Sequence, residues 1–370
     1  MALVLFAGLG SACDPGQVME PSASSQRKGL FDAWAAPDPA GVSQIYFGSR
    51  DAYAHGREPM QLTTGADPKN APVVVFAPTT GQFIVVYVSA KAQGQNEIRA
   101  LVVDPSVKSS VSVSIVVASP QRDRGDDEQF SPSSFDGPQA VWVDSKQAVF
   151  AVFNTQTAVY HAWLYPQAHD FPHSSPSRPL TKDRHGLVSH ATVAYARTTD
   201  RLMVAWGIMR SQEDIELGVM SPADRMLSIP SRRSWKHKQR ECNREMAPAC
   251  IEGGDRPALA FNEELRVFGL AIADDLNDSS RVEGFLLRDT CSSDSCDITK
   301  VGDDDDSRLP EGERERALAV IARIASVSIA PVDDSFVIDF SYGSEGSYRS
   351  DAQGSVVFDG NGHHRRGHTL

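Results

Sequence analysis

One aspartate interrupts an otherwise apolar stretch of the chain. Asp339 stands within Phe336–Phe340. Comparable stretches carry apolar residues at the matching position, namely Val86, Val152, Ala205 and Ala271. A carboxylate at an apolar position must be solvated, paired or functional, and enzymes that cleave glycans use carboxyl groups as acid, base or nucleophile. Asp339 is therefore a candidate catalytic carboxylate, with a structural ion pair or a sheet edge as the alternative.

A basic segment is the second candidate site. Residues 225–244 carry seven Lys or Arg side chains against one Glu, in a chain with a net charge of -12. Such a segment can bind an anionic glycan, a lipid headgroup or an acidic protein, whereas the alternative is a solvated loop. Its central residues are Arg232, Arg233, Trp235, Lys236, Lys238 and Arg240.

The overall charge and the acidic runs limit the possible ligands. An acidic protein with a pI near 5.3 lacks the basic footprint that nucleic acid requires. The run Asp303–Asp306 offers oxygen ligands that suit calcium, but it lacks the alternating ligands and central glycine of an EF-hand loop. A charge run of this kind is usually solvated. We therefore expect no metal, no cofactor and no nucleic-acid partner.

The N-terminal residues are typical of a processing signal. An apolar run, Ala2–Leu9, is followed by three small residues and then Cys13. The four residues from Gly10 to Cys13 resemble a bacterial lipobox, in which the cysteine is acylated and becomes the mature N-terminus. This resemblance implies a signal peptide over residues 1–12. The Ser, Pro, Gly and Gln content of residues 14–28 indicates a flexible tether over 13–29, which leaves residues 30–370 as the folded domain. The resemblance also implies export to the bacterial periplasm or cell surface, with membrane contact through the lipid anchor alone.

The remaining cysteines fit an oxidising compartment. Four cysteines can pair in three ways. Proximity in sequence favours two local disulfides, Cys242–Cys250 and Cys291–Cys296. A zinc site is the alternative, but no Cys-x-x-Cys spacing occurs.

A repeated pair of apolar runs organises residues 72 to 340. The first runs are Pro72–Phe76, Pro138–Trp142, Ala191–Tyr195, Pro257–Phe261 and Ala325–Ile329. A second run follows each after turn-forming residues, which predicts a β-hairpin. A third strand and a weaker fourth follow in most units, for example Ile98–Val103 as a third and Met226–Ile229 as a fourth.

The N-terminal part of the domain matches an incomplete sixth unit. Phe31–Ala35, Ser43–Phe47 and Pro59–Thr63 correspond to second, third and fourth strands, without a first strand. The first runs start about 53 to 68 residues apart. Four short strands per unit at this spacing predict an all-β fold, a β-propeller of about six four-stranded blades. Strands from the two ends of the chain would close the ring. A pair of β-sandwiches is the alternative.

The repeats resemble those of extracytoplasmic bacterial propellers. The Pro-x-apolar-Ala-apolar starts and the second strand ending at Trp206 are similar to sialidase-type and TolB-like repeats. The endings Gln61–Thr63 and Pro179–Thr181 are similar to TolB-like units. The resemblance covers most of residues 30–370 and implies a fold and a compartment. It carries no site residue across, because the sialidase Asp-box is absent from every turn.

These features favour a non-enzymatic binding propeller at the cell envelope, displayed by a lipid anchor. Its partner would be an envelope protein or an anionic glycan. The alternative is a glycan-active enzyme, hydrolase or lyase, that uses carboxylates in the central funnel. Geometry separates the two, since the enzyme requires two carboxyl groups about 5–10 Å apart.

Overall fold

The computed structural model describes most of the strand-forming part of the chain. The described residues are 31–48, 58–91, 95–104, 114–119, 135–166, 173–175, 177–180, 187–209, 213–224, 250–252, 256–274, 281–289, 298–300, 322–344, 350–359 and 364–365. Apart from one short 3-10 turn at Asp144–Lys146, the regular structure here is β-strand. In this part of the chain no helix is long and apolar enough to cross a membrane.

The strands form six antiparallel sheets in the described residues, each built from consecutive strands. Sheet 1 contains β1 (Asp32–Pro37), β2 (Ser43–Gly48) and β3 (Met60–Gln61). Sheet 2 contains β4 (Lys69–Ala77), β5 (Gln82–Ser89), β6 (Glu97–Val103) and β7 (Ile115–Ala118). Sheet 3 contains β8 (Asp136–Val143), β9 (Ala148–Asn154), β10 (Val159–Tyr165) and two short strands that both pair with β10, β11 (His173–Ser174) and β12 (Arg178–Pro179).

The second half of the chain repeats this plan. Sheet 4 contains β13 (Leu187–Ala196), β14 (Arg201–Met209), β15 (Glu213–Met220) and β16 (Cys250–Glu252). Sheet 5 contains β17 (Arg256–Asn262), β18 (Val267–Asp274), β19 (Arg281–Arg288) and β20 (Ile298–Lys300). Sheet 6 contains β21 (Ala322–Val332), β22 (Ser335–Ser344), β23 (Ser350–Asp359) and β24 (His364–Arg365).

The sequence-based hairpins are confirmed. The five first runs lie in β4, β8, β13, β17 and β21, and each pairs with the strand that follows it. Met226–Ile229, expected as the fourth strand of its unit, lies outside the described residues and stays a prediction. In the described part of sheet 4, β16 pairs with the first half of β15.

Successive sheets pack face to face, and this explains the nearly continuous apolar runs. In sheet 3, Trp142 packs into the core shared with sheet 2, while its neighbours Val141 and Val143 pack into the core shared with sheet 4. Successive side chains of a strand point to opposite faces. A strand covered on both sides therefore requires apolar residues at every position rather than at every second one. The same alternation recurs in sheet 5, where Phe261 faces sheet 4 and Ala260 faces sheet 6.

The sheets share two ends, which we call the rim and the hairpin face. The rim is the end at which β4 and the corresponding first strands begin, and the hairpin face carries the turns between first and second strands. Hydrogen bonds link adjacent turns at the hairpin face: Ser145 Oγ donates to Asp200 at 2.6 Å, and the backbone N–H of Arg197 donates to Glu263 at 3.3 Å. At the rim, Phe135 N donates to the carbonyl of Asn96 at 3.3 Å. The corresponding ends of adjacent sheets therefore lie on the same side of the molecule, as in a propeller-type fold.

Sheet 1 lies with β1 in the second-strand position, as its sequence predicts. Ser43, which begins β2, donates its hydroxyl to the carbonyl of Lys69 at the rim at 2.7 Å. At the other end, the ring of Phe31 lies 5.3 Å from that of Phe83, next to a hairpin turn. β1 therefore runs from the hairpin face to the rim, opposite to β4.

Close packing between sheets 5 and 6 depends on a glycine. A Cβ placed on Gly269 would lie 2.7 Å from Phe336 Cε1 and 2.8 Å from Ile329 Cδ1. These contacts are shorter than van der Waals distance, so the two side chains of sheet 6 use the space that the glycine leaves.

We expect Gly269→Ala to destabilise the fold by about 1–3 kcal/mol through overpacking. Chemical denaturation measures the free energy of unfolding in the wild type and in a Phe336→Leu background. The cost of the alanine should be smaller in the Leu background, because the smaller side chain relieves the clash. A stabilising effect of the alanine, or an equal cost in both backgrounds, would contradict this packing.

A buried histidine makes the stability of sheet 3 depend on pH. His161 is 5% exposed, and its ring stacks on Phe150 with centroids 5.2 Å apart. Burial lowers the pKa of His161 to about 4, although a hydrogen bond between Nδ1 and the carbonyl of Arg178 opposes the shift. The folded protein therefore holds a neutral imidazole where the unfolded chain binds a proton below about pH 6.5.

Between pH 6.5 and 4 the unfolded state binds more protons at His161 than the folded state, so stability falls as the pH falls. The loss approaches about 3 kcal/mol at pH 4. We expect the difference in unfolding free energy between wild type and His161→Gln to be constant above pH 7 and to change below it. A difference that stays constant down to pH 4 would show that the imidazole titrates normally.

Candidate functional site

The rim ends of the first strands share a structural irregularity. A β-bulge interrupts the register just before Val73, Gln139, Thr192 and Ser326. Residues within three of these bulges have positive φ, at Ala71 (46°), Gly137 (57°) and His190 (44°). Bulges re-aim side chains and are frequent next to functional sites. The β-bulges of the described first strands therefore all lie toward the rim.

A cluster of charged side chains lies at the rim of sheet 2, and we call it the rim cluster. It consists of Asp67, Lys69, Lys91, Glu97 and Arg99. Lys69 begins β4 and Glu97 begins β6, while Lys91 follows β5. The register pairs Ser89 with both Lys69 and Glu97, so these residues lie side by side at the rim ends of β4, β5 and β6.

One lysine joins the two carboxylates of the rim cluster. Lys91 Nζ lies 2.6 Å from Asp67 Oδ2 and 3.9 Å from Glu97 Oε2. The two carboxylate oxygens can be no further apart than the sum of these distances. This limit includes the ~5–5.5 Å spacing of retaining glycosidases and only reaches the lower end, ~6.5 Å, of the inverting range. The rim cluster therefore holds two carboxyl groups close enough for the spacing of the retaining enzymes.

Further hydrogen bonds fix the second carboxylate. Arg99 Nη1 lies 3.4 Å from Glu97 Oε2, and Ser119 Oγ donates to Glu97 Oε1 at 3.2 Å. Ser114 Oγ accepts a bond of 3.2 Å from Arg99 Nε and is hydrogen-bonded to the hydroxyl of Tyr87 at 2.6 Å. Because Tyr87 is buried in the core between sheets 1 and 2, this chain of bonds ties the charged groups to the rigid part of the fold.

The two carboxylates differ in their contact with solvent. The side chain of Asp67 is 41% exposed and that of Glu97 is 17% exposed. The hydrogen bond from Lys91 holds the pKa of Asp67 below its usual value. Asp67 is thus an accessible carboxylate that stays ionised at neutral pH.

A buried ammonium supports the loop that carries Asp67. Lys69 is 6% exposed, and its Nζ donates a hydrogen bond to the backbone carbonyl of Asp67. Burial lowers the pKa of Lys69, while the nearby Asp67 carboxylate acts in the opposite direction. This contact fixes the backbone from which the Asp67 side chain projects. In the described residues no group of three or more His, Cys, Asp or Glu side chains could hold a metal ion.

Asp339 lies in sheet 6, far along the chain from the rim cluster. The residues that the sequence aligned with it in the other units were wrong by two positions. Asp339 pairs with Ser328, three residues after the bulge position Ala325. The corresponding residues of the other sheets are Ile84, Phe150, Met203 and Gly269. The error arose because the sheet 6 hairpin turns with two residues, Val332 pairing with Ser335, where sheet 2 uses four. Asp339 is half-buried on the face of sheet 6 turned away from sheet 5.

The other sequence-based candidates fall mainly outside the described residues. Cys13, Cys242, Cys291, Cys296 and the whole basic segment, with Arg232, Arg233, Trp235, Lys236, Lys238 and Arg240, lie there, as does Asp303–Asp306. Cys250 is the exception, since it begins β16 and pairs with Glu216 of β15. The structure therefore leaves the disulfides and the basic segment as predictions.

The rim cluster was not among the sites predicted from the sequence, although a signal for it was present. Lys91 and Glu97 flank the connection between a second and a third strand, and Asp67 precedes a first strand. In an antiparallel sheet these two connections lie at the same end. Searching the connections for paired charges, rather than the strands for interruptions, would have located this site.

Comparisons with known proteins find similarity in structure alone. No family model matches the chain, and no curated protein matches it. Among solved structures, the Hadza microbial sialidase Hz136 aligns with a TM-score of 0.43 and 10% identity, over 87% of this chain and 67% of that one. An endo-1,5-α-L-arabinanase from Thermotoga petrophila aligns with a TM-score of 0.42 and 11% identity, over 90% of each chain. The β-propeller domain of the Trilobed protease from Pyrococcus furiosus aligns with a TM-score of 0.40 and 10% identity, over 90% and 80%.

These comparisons correct one functional expectation. The sequence favoured a non-enzymatic binding module, but the similar structures are mostly named as enzymes that act on glycans, including a xylanase and a levansucrase. The expectation of a non-enzyme is therefore wrong on this comparison. At 8–13% identity the likeness concerns a propeller-type, all-β architecture, and it transfers no substrate and no residue to this chain.

Proposed function

We propose that this chain is a glycan-active enzyme, a glycoside hydrolase, whose two carboxyl groups are Asp67 and Glu97. The observation that carries the proposal is their common partner, Lys91, which keeps the two carboxyl groups close enough for the spacing used in retaining glycoside hydrolysis. Their position at the rim, where the connections between strands gather, gives a polymeric substrate access.

The surroundings of each carboxylate suggest its role. Asp67 is exposed and remains ionised beside Lys91, as a nucleophile or a general base requires. With Asp67 in that role, the proton donor to the leaving-group oxygen is assigned to Glu97, the more enclosed of the two, whose position Ser119 and Arg99 fix. In the retaining scheme Asp67 attacks the anomeric carbon, the glycosidic bond breaks and Glu97 gives its proton to the departing oxygen. Water then releases the sugar from Asp67 while Glu97 takes the proton back.

Replacing either carboxyl group by its amide should lower hydrolysis about 10²–10⁴-fold, because each variant removes one acid–base or nucleophilic group. Asp67→Asn and Glu97→Gln are assayed by chromatography of the products formed from a panel of neutral and acidic polysaccharides. Glu264→Gln is the matched control, since it makes the same change at an exposed position on the hairpin face.

Azide tests the nucleophile assignment. In Asp67→Ala the small anion should restore activity and yield a glycosyl azide, whereas a purely structural role for Asp67 gives no such product. Full activity in both amide variants, or the absence of hydrolysis by the wild type on every polysaccharide of the panel, would overturn the proposal.

We also propose that the sheets close into a ring of six blades through packing of sheet 6 on sheet 1. On sheet 1, the face turned away from sheet 2 carries Trp34 and Tyr46, whose rings stack with centroids 6.5 Å apart. On sheet 6, the face turned away from sheet 5 carries the cross-strand pair Val337 and Val357. These half-buried apolar residues resemble the surfaces that join the other sheets.

For the cellular setting we propose export and acylation at Cys13, with residues 13–29 as the tether. The apolar run that ends in Gly-Ser-Ala-Cys supports this. Cys242–Cys250 and Cys291–Cys296 remain the expected disulfides. The basic segment around Arg232 remains the candidate for binding an anionic glycan or an acidic partner.

A further inference from the structure

The chain enters the folded domain at the hairpin face. Phe31, the first described residue, precedes β1. Its ring stacks on Phe47, with centroids 5.4 Å apart and planes within 6°, and also contacts Phe83. Phe83 is the second residue of β5, directly after the hairpin turn of sheet 2. Any segment N-terminal to Phe31 therefore joins the molecule at this end.

Exposed apolar side chains lie at the same end. Among the described residues, the large hydrophobic side chains that are exposed are Phe31, at 41%, and Val332, at 47%. Val332 ends β21, directly before the turn Asp333–Asp334 of sheet 6. Phe31 and Val332 thus belong to the hairpin ends of the first and last sheets.

Two ion pairs lie at the hairpin face. Asp144 pairs with Arg197, and Asp289 pairs with Arg266 at 3.1 Å. The turns also carry exposed carboxyl groups, at Glu264 and Asp333, so a zwitterionic lipid surface suits this face better than an anionic one.

The rim cluster lies at the opposite end of the sheets. Lys69 and Glu97 stand at the rim ends of β4 and β6, whereas Phe83 stands at the hairpin end of β5. The eight residues of β5 span ~25 Å at ~3.3 Å per residue. The entry point of the chain and the proposed catalytic carboxylates are therefore separated by the full height of the sheets.

We propose that the hairpin face rests on the membrane surface that carries the acylated Cys13, with Phe31 and Val332 in contact with lipid. The rim cluster then points away from the membrane, toward soluble or wall-attached glycans. The occupant is a lipid surface because the chain that leads to Cys13 emerges beside Phe31, and apolar side chains contribute to membrane attachment in proportion to the area they bury. This inference rests on the proposed acylation and is independent of the carboxylate assignment.

Depth-dependent quenching tests the orientation. The acylated full-length chain is reconstituted in phosphatidylcholine vesicles that contain a nitroxide-labelled lipid. An azide-bearing amino acid, which avoids the native cysteines, carries a fluorophore at one of four exposed positions. Thr79 and Lys146 report on the hairpin face, and Ala40 and Ala66 report on the rim. We expect several-fold stronger quenching at Thr79 and Lys146 than at Ala40 and Ala66.

Matched variants separate attachment from contact. Phe31→Ser with Val332→Ser should make quenching similar at the four positions, because the tether remains while the apolar contact is lost. Equal or stronger quenching at the rim in the unsubstituted chain would overturn the proposal. A dimer of the unsubstituted chain that sedimentation detects and that the double variant loses would also overturn the proposal, because the hairpin face would then bind a second copy of the chain.

Mass spectrometry of the vesicle-bound chain shows whether Cys13 is acylated, and so separates a failure of the anchor proposal from a failure of the orientation proposal. If Cys13 carries no lipid, the anchor proposal is wrong. Cys13→Ser with an N-terminal histidine tag, bound to vesicles with nickel-chelating lipid, then keeps the point of attachment and decides the orientation alone. Loss of glycan cleavage in any of these samples bears on the carboxylates and leaves the quenching pattern unaffected.

Discussion

Packing of each sheet against two neighbours is the constraint on which the rest of this structure depends. Fully buried side chains such as Trp142, Phe150 and Phe153 alternate between the two faces of sheet 3. Burying one large apolar side chain contributes about 1.5–3 kcal/mol. An exposed ion pair of the kind found at the hairpin face contributes ~0–1 kcal/mol. The fold is therefore held by apolar contacts between sheets, and the polar groups at the two ends are not needed to hold it together.

Because apolar contacts between sheets hold the strands in place, a charged cluster can persist at the rim. The register of β4, β5 and β6 places Lys69 and Glu97 on either side of Ser89. The strands themselves are fixed by the cores on both faces of sheet 2. The cations and carboxylates thus have positions set by the backbone, and their mutual attraction serves to tune ionisation. Preorganisation of this kind is what a pair of catalytic carboxyl groups requires.

Much of the fold could be predicted from the sequence, because its period is carried by apolar residues. The runs at Pro72–Phe76 and Pro257–Phe261 predicted strands that the structure contains. The position of Asp339 could not be predicted, since it depends on whether a hairpin turns with two residues or four. The rim cluster was missed for a related reason. Asp67 and Glu97 are distant in sequence. The connections that carry them could be placed at one end of the sheet, but their common contact with Lys91 depends on the three-dimensional positions of the side chains.

The coupling of Asp67 to Lys91 can be measured directly. Carbon-13 NMR titration of the aspartate and glutamate carboxyl groups gives the pKa of Asp67 in the wild type and in Lys91→Met. We expect the pKa of Asp67 to lie below the ordinary value of about 3.9 and to rise when the ammonium is removed. An ordinary pKa in the wild type that does not change in Lys91→Met would contradict this expectation, because the two carboxylates would then have no common cation to hold them as a pair.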